Sequence, residues 1–288
     1  MNARCKALYF LTMMIACVPL SFSQGTYTRF DVPNGSNTSL NGINSAGDIV
    51  GLYTVSDNTY HGFLYRSGVY TTIDYPGAGG TQLSGINDVD QIVGSTTSYS
   101  NTGFIYDIAT QAFTTVSFPG SIGTFPLAID NTGTIVGAYR DASSTMHGFE
   151  LRGSVYLDVD PGNFKTSFVR GISNSGVLAG YVLIGQIPYN FLSKRGSYRK
   201  VTIPNAPSAA VWGINRSGTA LVGEYTPASG PVSGFFYENN TFQQILFPGS
   251  TSTYAQGVND YGETVGFFQD ECCFHGFIWT PSTDAAKK

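Results

Sequence analysis

Apolar residues in this chain gather in short runs rich in Val, Ile, Tyr, Phe and Thr, and clusters of Gly, Asn, Ser, Asp or Pro part each run from the next. Between residues 82 and 118 the runs fall at 82–87, 92–97, 103–106 and 113–118. Runs of about five residues with a turn signal every ~8–12 residues predict β-strands, here four in succession. The set of four then repeats. Gly42-Ile43-Asn44, leading to Ile49-Val50-Gly51, returns at 85–94, 128–137, 171–180, 213–223 and 257–266. The closing glycines stand at 51, 94, 137, 180, 223 and 266, so every interval is 43 residues. A fixed period of about 40 residues built from β-forming types specifies a stacked or ring-closed repeat. Asn44-Ser45-Ala46-Gly47 and Asn174-Ser175-Gly176 supply the side-chain-to-backbone bonds and the positive φ that tight hairpins need. A proline follows each fourth strand (Pro33, Pro76, Pro119, Pro161, Pro204, Pro248) and ends it, because proline cannot donate to a ladder.

The two ends of the pattern fit each other. Residues 27–33 match Tyr70-Thr71-Thr72-Ile73-Asp74-Tyr75-Pro76, a fourth strand, whereas the sixth unit stops after a third strand, Gly276-Phe277-Ile278-Trp279. The N-terminal strand is therefore the piece that the sixth unit lacks. A ring closed by this exchange has no open sheet end, which an all-β protein must otherwise protect. An open solenoid would need distinct polar caps, and the sequence has none. The fold predicted is all-β: a six-bladed β-propeller of four-stranded blades over residues 24–281, with a polar tail at 282–288. The period slips twice, losing one residue at 156–161 and gaining one between Asn215 and Gly223.

His61-Gly62-Phe63-Leu64-Tyr65 and His275-Gly276-Phe277-Ile278-Trp279, taken with the Gly-Ile-Asn-x-x-Gly-x-Ile-Val-Gly stretch, resemble the bacterial HAF-type extracellular repeat, which is named for a His-Ala-Phe triplet followed by Leu-Trp. The resemblance covers residues 27–280, nearly all of the repeat region. Glycine stands where that repeat has alanine, three units lack the histidine, and the fourth unit departs furthest with Tyr189-Asn190-Phe191. The resemblance implies an exported repeat protein. It transfers no activity and no catalytic residue.

Composition and the N-terminus set the compartment. Charged residues are 12% of the chain, about half the usual share, and a net charge of −4 without a basic stripe argues against a nucleic-acid partner. Arg4 and Lys6 precede an apolar run at 7–16, Pro19 breaks it, and Ser21-Phe22-Ser23 places small residues before a cut at Gln24. Residues 1–23 thus read as a secretory signal peptide, and the mature protein as secreted or periplasmic. Lipid attachment at Cys17 is the lesser alternative. No later apolar stretch reaches the ~18 residues of a membrane span, and a monomer is expected. Removing the signal leaves Cys272-Cys273 as the only cysteines. In an oxidising compartment such neighbours can close a vicinal disulfide, the other reading being two ordinary thiols.

A propeller puts the second-to-third and fourth-to-first strand connections on one face. There the stretches 55–60, 140–146, 183–189, 226–233 and 269–274 read as long, varied loops, the usual place for binding residues. One residue per unit precedes the first-strand glycine position: Asn41, Ser84, Leu127, Arg170, Trp212 and Gln256. These should approach the mouth of the central channel, where a tryptophan, an arginine and amides suit a neutral or weakly acidic sugar by stacking and planar hydrogen bonds. Packing between blades is the competing account. His61, His147 and His275 share one repeat position on separate units, so they are expected to bond a loop carbonyl each and not to converge on a metal. Asn87-Asp88-Val89-Asp90 alternates oxygen donors but lacks the glycine and distal glutamate of a calcium loop. No metal or other cofactor is expected. Asp158 with Asp160 and Asp270 with Glu271 are adjacent acids only, and the hydrolase and phosphate-binding motifs are absent from the sequence. The function expected is a non-catalytic binding module for carbohydrate or another cell-surface ligand. An enzyme acting on an extracellular polymer, drawing its acid or base from Asp141, Asp270, Glu271 or a histidine, is the alternative, and a structural matrix protein is a third class.

Overall fold

The computed structural model describes residues 25–282 except 57, 99 and 163–165. The expected signal peptide, Cys17, and all but Ser282 of the expected tail lie outside the described residues. The first strand, β1 (Thr26–Phe30), stands apart from those that follow it. Blade 1 is β2 (Ser36–Ile43), β3 (Ile49–Thr54), β4 (Tyr60–Arg66) and β5 (Val69–Thr72). Blade 2 is β6 (Thr81–Ile86), β7 (Gln91–Thr96), β8 (Gly103–Asp107) and β9 (Ala112–Val116). Blade 3 is β10 (Gly123–Ile129), β11 (Ile135–Arg140), β12 (Met146–Arg152) and β13 (Val155–Val159). Blade 4 is β14 (Thr166–Ile172), β15 (Val177–Ile184), β16 (Ile187–Lys194) and β17 (Ser197–Lys200). Blade 5 is β18 (Ala210–Ile214), β19 (Ala220–Tyr225), β20 (Ser233–Glu238) and β21 (Thr241–Ile245). Blade 6 is β22 (Ser252–Val258), β23 (Thr264–Gln269) and β24 (Phe274–Thr280), completed by β1 on its outer edge. All six sheets are antiparallel, and Tyr27 pairs with Trp279 and Phe30 with Gly276, the closure that the phase of the termini predicts. No helix of the described residues is long and apolar enough to cross a membrane.

The repeated residues each have a mechanical reason. The closing glycine of every second strand lies opposite a phenylalanine of the third: Gly51 faces Phe63, Gly94 Phe104, Gly137 Phe149, Gly180 Phe191, Gly223 Phe235 and Gly266 Phe277. A Cβ on Gly51 would strike the Ser39 carbonyl and stand 2.9 Å from the Phe63 ring, so the buried ring claims the space a side chain would use. Core clusters lie between successive blades. Leu64 and Ile73 of blade 1, for instance, pack on Leu83, Ile92 and Phe104 of blade 2. Burying each such side chain contributes about 1.5–3 kcal/mol.

In blades 1 and 2 the Asn of Gly-Ile-Asn fastens its blade to the next. Asn44 Oδ1 accepts from the Ala46 and Asp48 amides at 3.0 and 2.9 Å, closing its own turn. Its Nδ2 donates to the Asn87 carbonyl of the next blade, and Asn87 Nδ2 donates onward to Asp130 O at 2.9 Å. The residue after it extends the chain of bonds, Ser45 N donating to Asp88 Oδ1 at 2.8 Å and Asp88 N to Asn131 Oδ1 at 3.0 Å. In blade 5 the turn is one residue longer: Asn215 N donates to Ala220 O at 3.1 Å, five positions on, where Asn44 N donates to Asp48 O four positions on. That is the gained residue of the sequence pattern.

One expected loop is a turn. β15 and β16 run on as far as Ile184 and resume at Ile187, so 183–189 is the tip of a two-residue hairpin and not a long loop. Its β-branched residues extend the ladder, and Gly185 at φ 65° makes the turn.

Candidate functional site

Every innermost strand carries a β-bulge at the same place. Register shifts fall between Leu40 and Gly42, Leu83 and Gly85, Pro126 and Ala128, Val169 and Gly171, Val211 and Gly213, and Ala255 and Gly257. The skipped residues are Asn41, Ser84, Leu127, Arg170, Trp212 and Gln256. A bulge leaves one residue unpaired and re-aims its side chain, and here all six line a central cavity of about 300 Å³. The next glycine lets the strands converge: a Cβ on Gly42 would lie 3.1 Å from Gly85 Cα and from Ser84 O. Above the bulges the wall continues through Ser39, Gln82, Leu52 and Phe267, and below them through a collar formed by Ile43 and its equivalents.

The channel is closed at the face of the first-to-second strand turns. Arg216, buried, reaches across from blade 5 and donates from Nη1 to Ile129 O at 2.8 Å in blade 3 and from Nη2 to Ile86 O in blade 2, with Asp88 Oδ2 3.7 Å from its Nε. Arg216 takes the position of Ser45, Asp88, Asn131 and Asn174, and the inserted residue, Ser217, makes the blade-to-blade bond instead, donating to Asp260 Oδ1 at 2.9 Å. The cavity is therefore approached from the opposite face, that of the second-to-third strand loops.

The six lining residues differ in how far they are committed. Asn41 is engaged, accepting from Ser39 Oγ at 2.9 Å and donating to Leu83 O of blade 2 at 2.8 Å, which is the packing role weighed above. Arg170 and Trp212 are not. The Arg170 guanidinium lies 3.9 Å from the Trp212 ring centre, and both Nε of Arg170 and Nε1 of Trp212 are buried without a hydrogen-bond partner. Burial pulls the Arg170 guanidinium down from its ordinary range, opposed by the charge of Glu224. Burial in turn pushes the Glu224 carboxyl and the Tyr181 phenol up. Among the described residues that line the cavity there is no carboxylate, imidazole or thiol, so its charge is the cationic one of the two arginines.

The other sequence candidates are structural or lie apart. Asp88 accepts from Ser45 N and from Asn131 Nδ2 at 2.8 Å each, and Arg66 bridges Asp48 and Asp90 at 2.9 and 2.6 Å, so the oxygens of 87–90 are occupied within turns. Each histidine meets carboxylates and not the loop carbonyl expected. His61 Nδ1 is 2.7 Å from Asp74 Oδ2, His147 Nε2 is 3.1 Å from Asp141 Oδ2, and His275 lies between Asp31 and Asp270 at 3.1 Å each. The third-strand histidine stands beside an aspartate of the loop that precedes it (Asp141, Asp270) or of the residues that follow the adjacent outer strand (Asp74, Asp31). Cys272 and Cys273 are free thiols in this structure. The Cys272 thiol is pushed up to about 12 by its hydrogen bond to Cys273 and by the Asp270 carboxylate. Tyr139 donates to Asp158 Oδ1 at 2.6 Å, which takes one of the adjacent acids into a structural contact.

No protein-family model matches the chain, and no curated protein matches it. Solved structures resemble it in fold. TolB from Acinetobacter baumannii superposes with a TM-score of 0.58 at 12% identity over 82% of this chain, which spans 64% of TolB. A lectin from Aleuria aurantia in complex with Fucα1-6GlcNAc gives 0.54 at 12% identity, covering 89% of this chain and 95% of that one. A gluconolactonase from Xanthomonas campestris gives 0.53 at 14% identity, covering 86% and 88%. These likenesses establish the propeller. Sequence reasoning found the six lining positions and missed the bulge that aims them and the arginine that closes the channel. Arg216 had a readable signal, as the one cation at a position held elsewhere by Ser45, Asp88, Asn131, Asn174 and Asp260.

Proposed function

We propose that this is an exported propeller that binds carbohydrate in its central cavity, with Arg170 and Trp212 as the principal contacts and Ser84, Gln256 and Asn41 around them. One observation carries the reading: two buried donors, Arg170 Nε and Trp212 Nε1, lie unpartnered among residues that line a one-ended cavity. Buried donors are normally satisfied, and an acceptor carried into the cavity by a ligand would satisfy this pair after a small turn of either side chain. A sugar offers ring oxygens or a carboxylate to these donors and an apolar face to the indole. The guanidinium and the lack of acids in the lining favour an acidic sugar over a neutral one, and favour binding over acid–base cleavage of a polymer. The lectin likeness in fold is consistent with this and adds no residue to it. A glycan array followed by calorimetry tests the proposal. A glycan that binds should lose about 1 kcal/mol or more of affinity on Trp212→Ala and on Arg170→Ala, while both variants keep the parent's unfolding curve to within a few degrees. An array without a hit among uronate-bearing and neutral glycans, or a hit indifferent to both substitutions, would leave the matrix-protein reading in its place.

A further inference from the structure

We infer that Asp270, Cys272, Cys273 and His275 form a binding site for one divalent metal ion of the zinc type, in the loop joining β23 to β24 at the rim of blade 6. Each residue offers one ligand atom, and the four atoms lie within 4.8 Å of one another. A tetrahedral zinc site with sulfur, nitrogen and oxygen ligands requires separations of about 3.3–3.8 Å, so the longest separation must shorten by at most about 1–1.5 Å. Two thiolates, an imidazole and a carboxylate are the donors that such an ion selects.

The loop already holds the ligands in place. Asp270 Oδ1 accepts from the amides of Cys272 and Cys273 at 2.9 and 3.0 Å, which curls both cysteines over the carboxylate. Asp270 Oδ2 is 3.1 Å from His275 Nε2, so the two meet at the atoms that would ligate. The far nitrogen of the ring, Nδ1, is 3.1 Å from Asp31 Oδ2 on the connection that follows β1. A carboxylate behind the imidazole is the usual support of a metal-bound histidine, fixing its tautomer and orientation. Arg29 stands at the same nitrogen, its Nη2 2.9 Å from His275 Nδ1, and is itself paired to Asp31 at 2.7 Å. With Nδ1 donating to Asp31, Arg29 keeps its partner in Asp31 and offsets the surplus negative charge of a dithiolate–carboxylate site.

The same molecule contains the arrangement without the thiols. In blade 3 Asp141 Oδ1 accepts from the Ser143 and Thr145 amides at 2.8 Å each, and Asp141 Oδ2 meets His147 Nε2 at 3.1 Å. Hydroxyls occupy the loop there, so the Asp–His pair alone serves the fold and does not account for Cys272 and Cys273. The exposed Cys272 thiol, with half-buried Cys273 beside it, is open to oxidation, and a bound metal ion protects the pair. On binding, both thiols lose their protons to solvent and no electron is transferred; His275 enters neutral and Asp270 ionised.

Titrating the reduced, chelator-stripped chain with Co²⁺ tests this, since cobalt reports thiolate ligation by a ligand-to-metal absorption band. One equivalent should saturate that band, Zn²⁺ should abolish it by displacement, and about two protons should be released per metal at neutral pH. Cys272→Ser and Cys273→Ser should each remove or shift the band, Asp31→Asn should weaken the site about 10–100-fold, and His147→Ala should change nothing. The two cysteine variants should unfold like the parent in the metal-free state. A reduced chain that gives no thiolate band, or a band unaltered by both cysteine substitutions, overturns the site and leaves Cys272-Cys273 as a disulfide-forming pair.

Discussion

The two tryptophans of this chain occupy opposite environments, and substitution should separate them. Trp279 is fully buried where β24 meets the closing strand, with Phe236 5.5 Å away, whereas Trp212 is half-buried in the cavity wall with Arg170 against its face. Trp279→Ala should cost about 3–5 kcal/mol, and Trp212→Ala about 1 kcal/mol, both read by chemical denaturation. An equal cost would return Trp212 to an inter-blade packing role. Asp141 makes the second residue-scale case. Hydrogen bonds from Ser143 and Thr145, with His147 beside them, hold its carboxyl down at about 2. A depressed pKa contributes stability that is present above the ordinary carboxylate value and is lost as pH falls through the folded one. The acid limb of unfolding should therefore extend from about pH 4 down to about pH 2, and Asp141→Asn should remove its share of that fall in a near-ultraviolet circular dichroism titration. The lining positions were legible in sequence because the repeat aligns them, and because tryptophan and arginine are costly fillers of a small slot. The aspartate partners of the histidines were not, since Asp31 and Asp74 follow outer strands that only the register brings within reach, and the curl that turns Asp141 and Asp270 back on their own loops has no sequence signature.

At the scale of elements, the bulge governs which way each innermost strand faces. In blade 2 Leu83 pairs with Gly94 and Gly85 with Val93, leaving Ser84 outside the ladder. Because side chains alternate with a period of two, removing one residue there turns the preceding ones over. Deleting Ser84 should swing Leu83, now wholly buried, out of the core between blades and cost about 3 kcal/mol or more. Ser84→Ala, which keeps the count, should cost about 1 kcal/mol or less; denaturant midpoints compare the two. Strand positions themselves were readable within a residue or two, since β7, expected at 92–97, spans Gln91–Thr96. The bulges were hidden because a period of 43 is preserved whether or not each repeat contains one. The tip at 183–189 differs from the loop expected because Gly185, Gln186 and Pro188 resemble a loop, while Ile184 and Ile187 keep the ladder going.

The whole molecule depends on a single exchange, β1 lying along β24 with Thr26 opposite Thr280. Removing residues 26–33 takes a full strand from blade 6 and withdraws Phe30 and Val32 from the cluster they share with Leu40, Phe63 and Val265. The melting temperature should fall by about 5 °C or more, and calorimetry with an unchanged transition would contradict the ring. The closure was legible because the two ends are out of phase by one strand. The blocked channel was not, because a bond from blade 5 to blades 2 and 3 has no counterpart in a periodic sequence. The bulged slot has a further consequence. Blade-to-blade hydrogen bonds are made by Asn44, Asn87 and the residues that follow them, whereas among the described slot side chains Asn41 is the one that makes such a bond. The pocket is thus a word of six letters, one per blade, and every letter but Asn41 can be exchanged without rewriting the grammar that keeps the word closed. Single substitutions at 84, 127, 170, 212 or 256 would each alter one-sixth of the pocket lining and leave the hydrogen bonds of the frame in place.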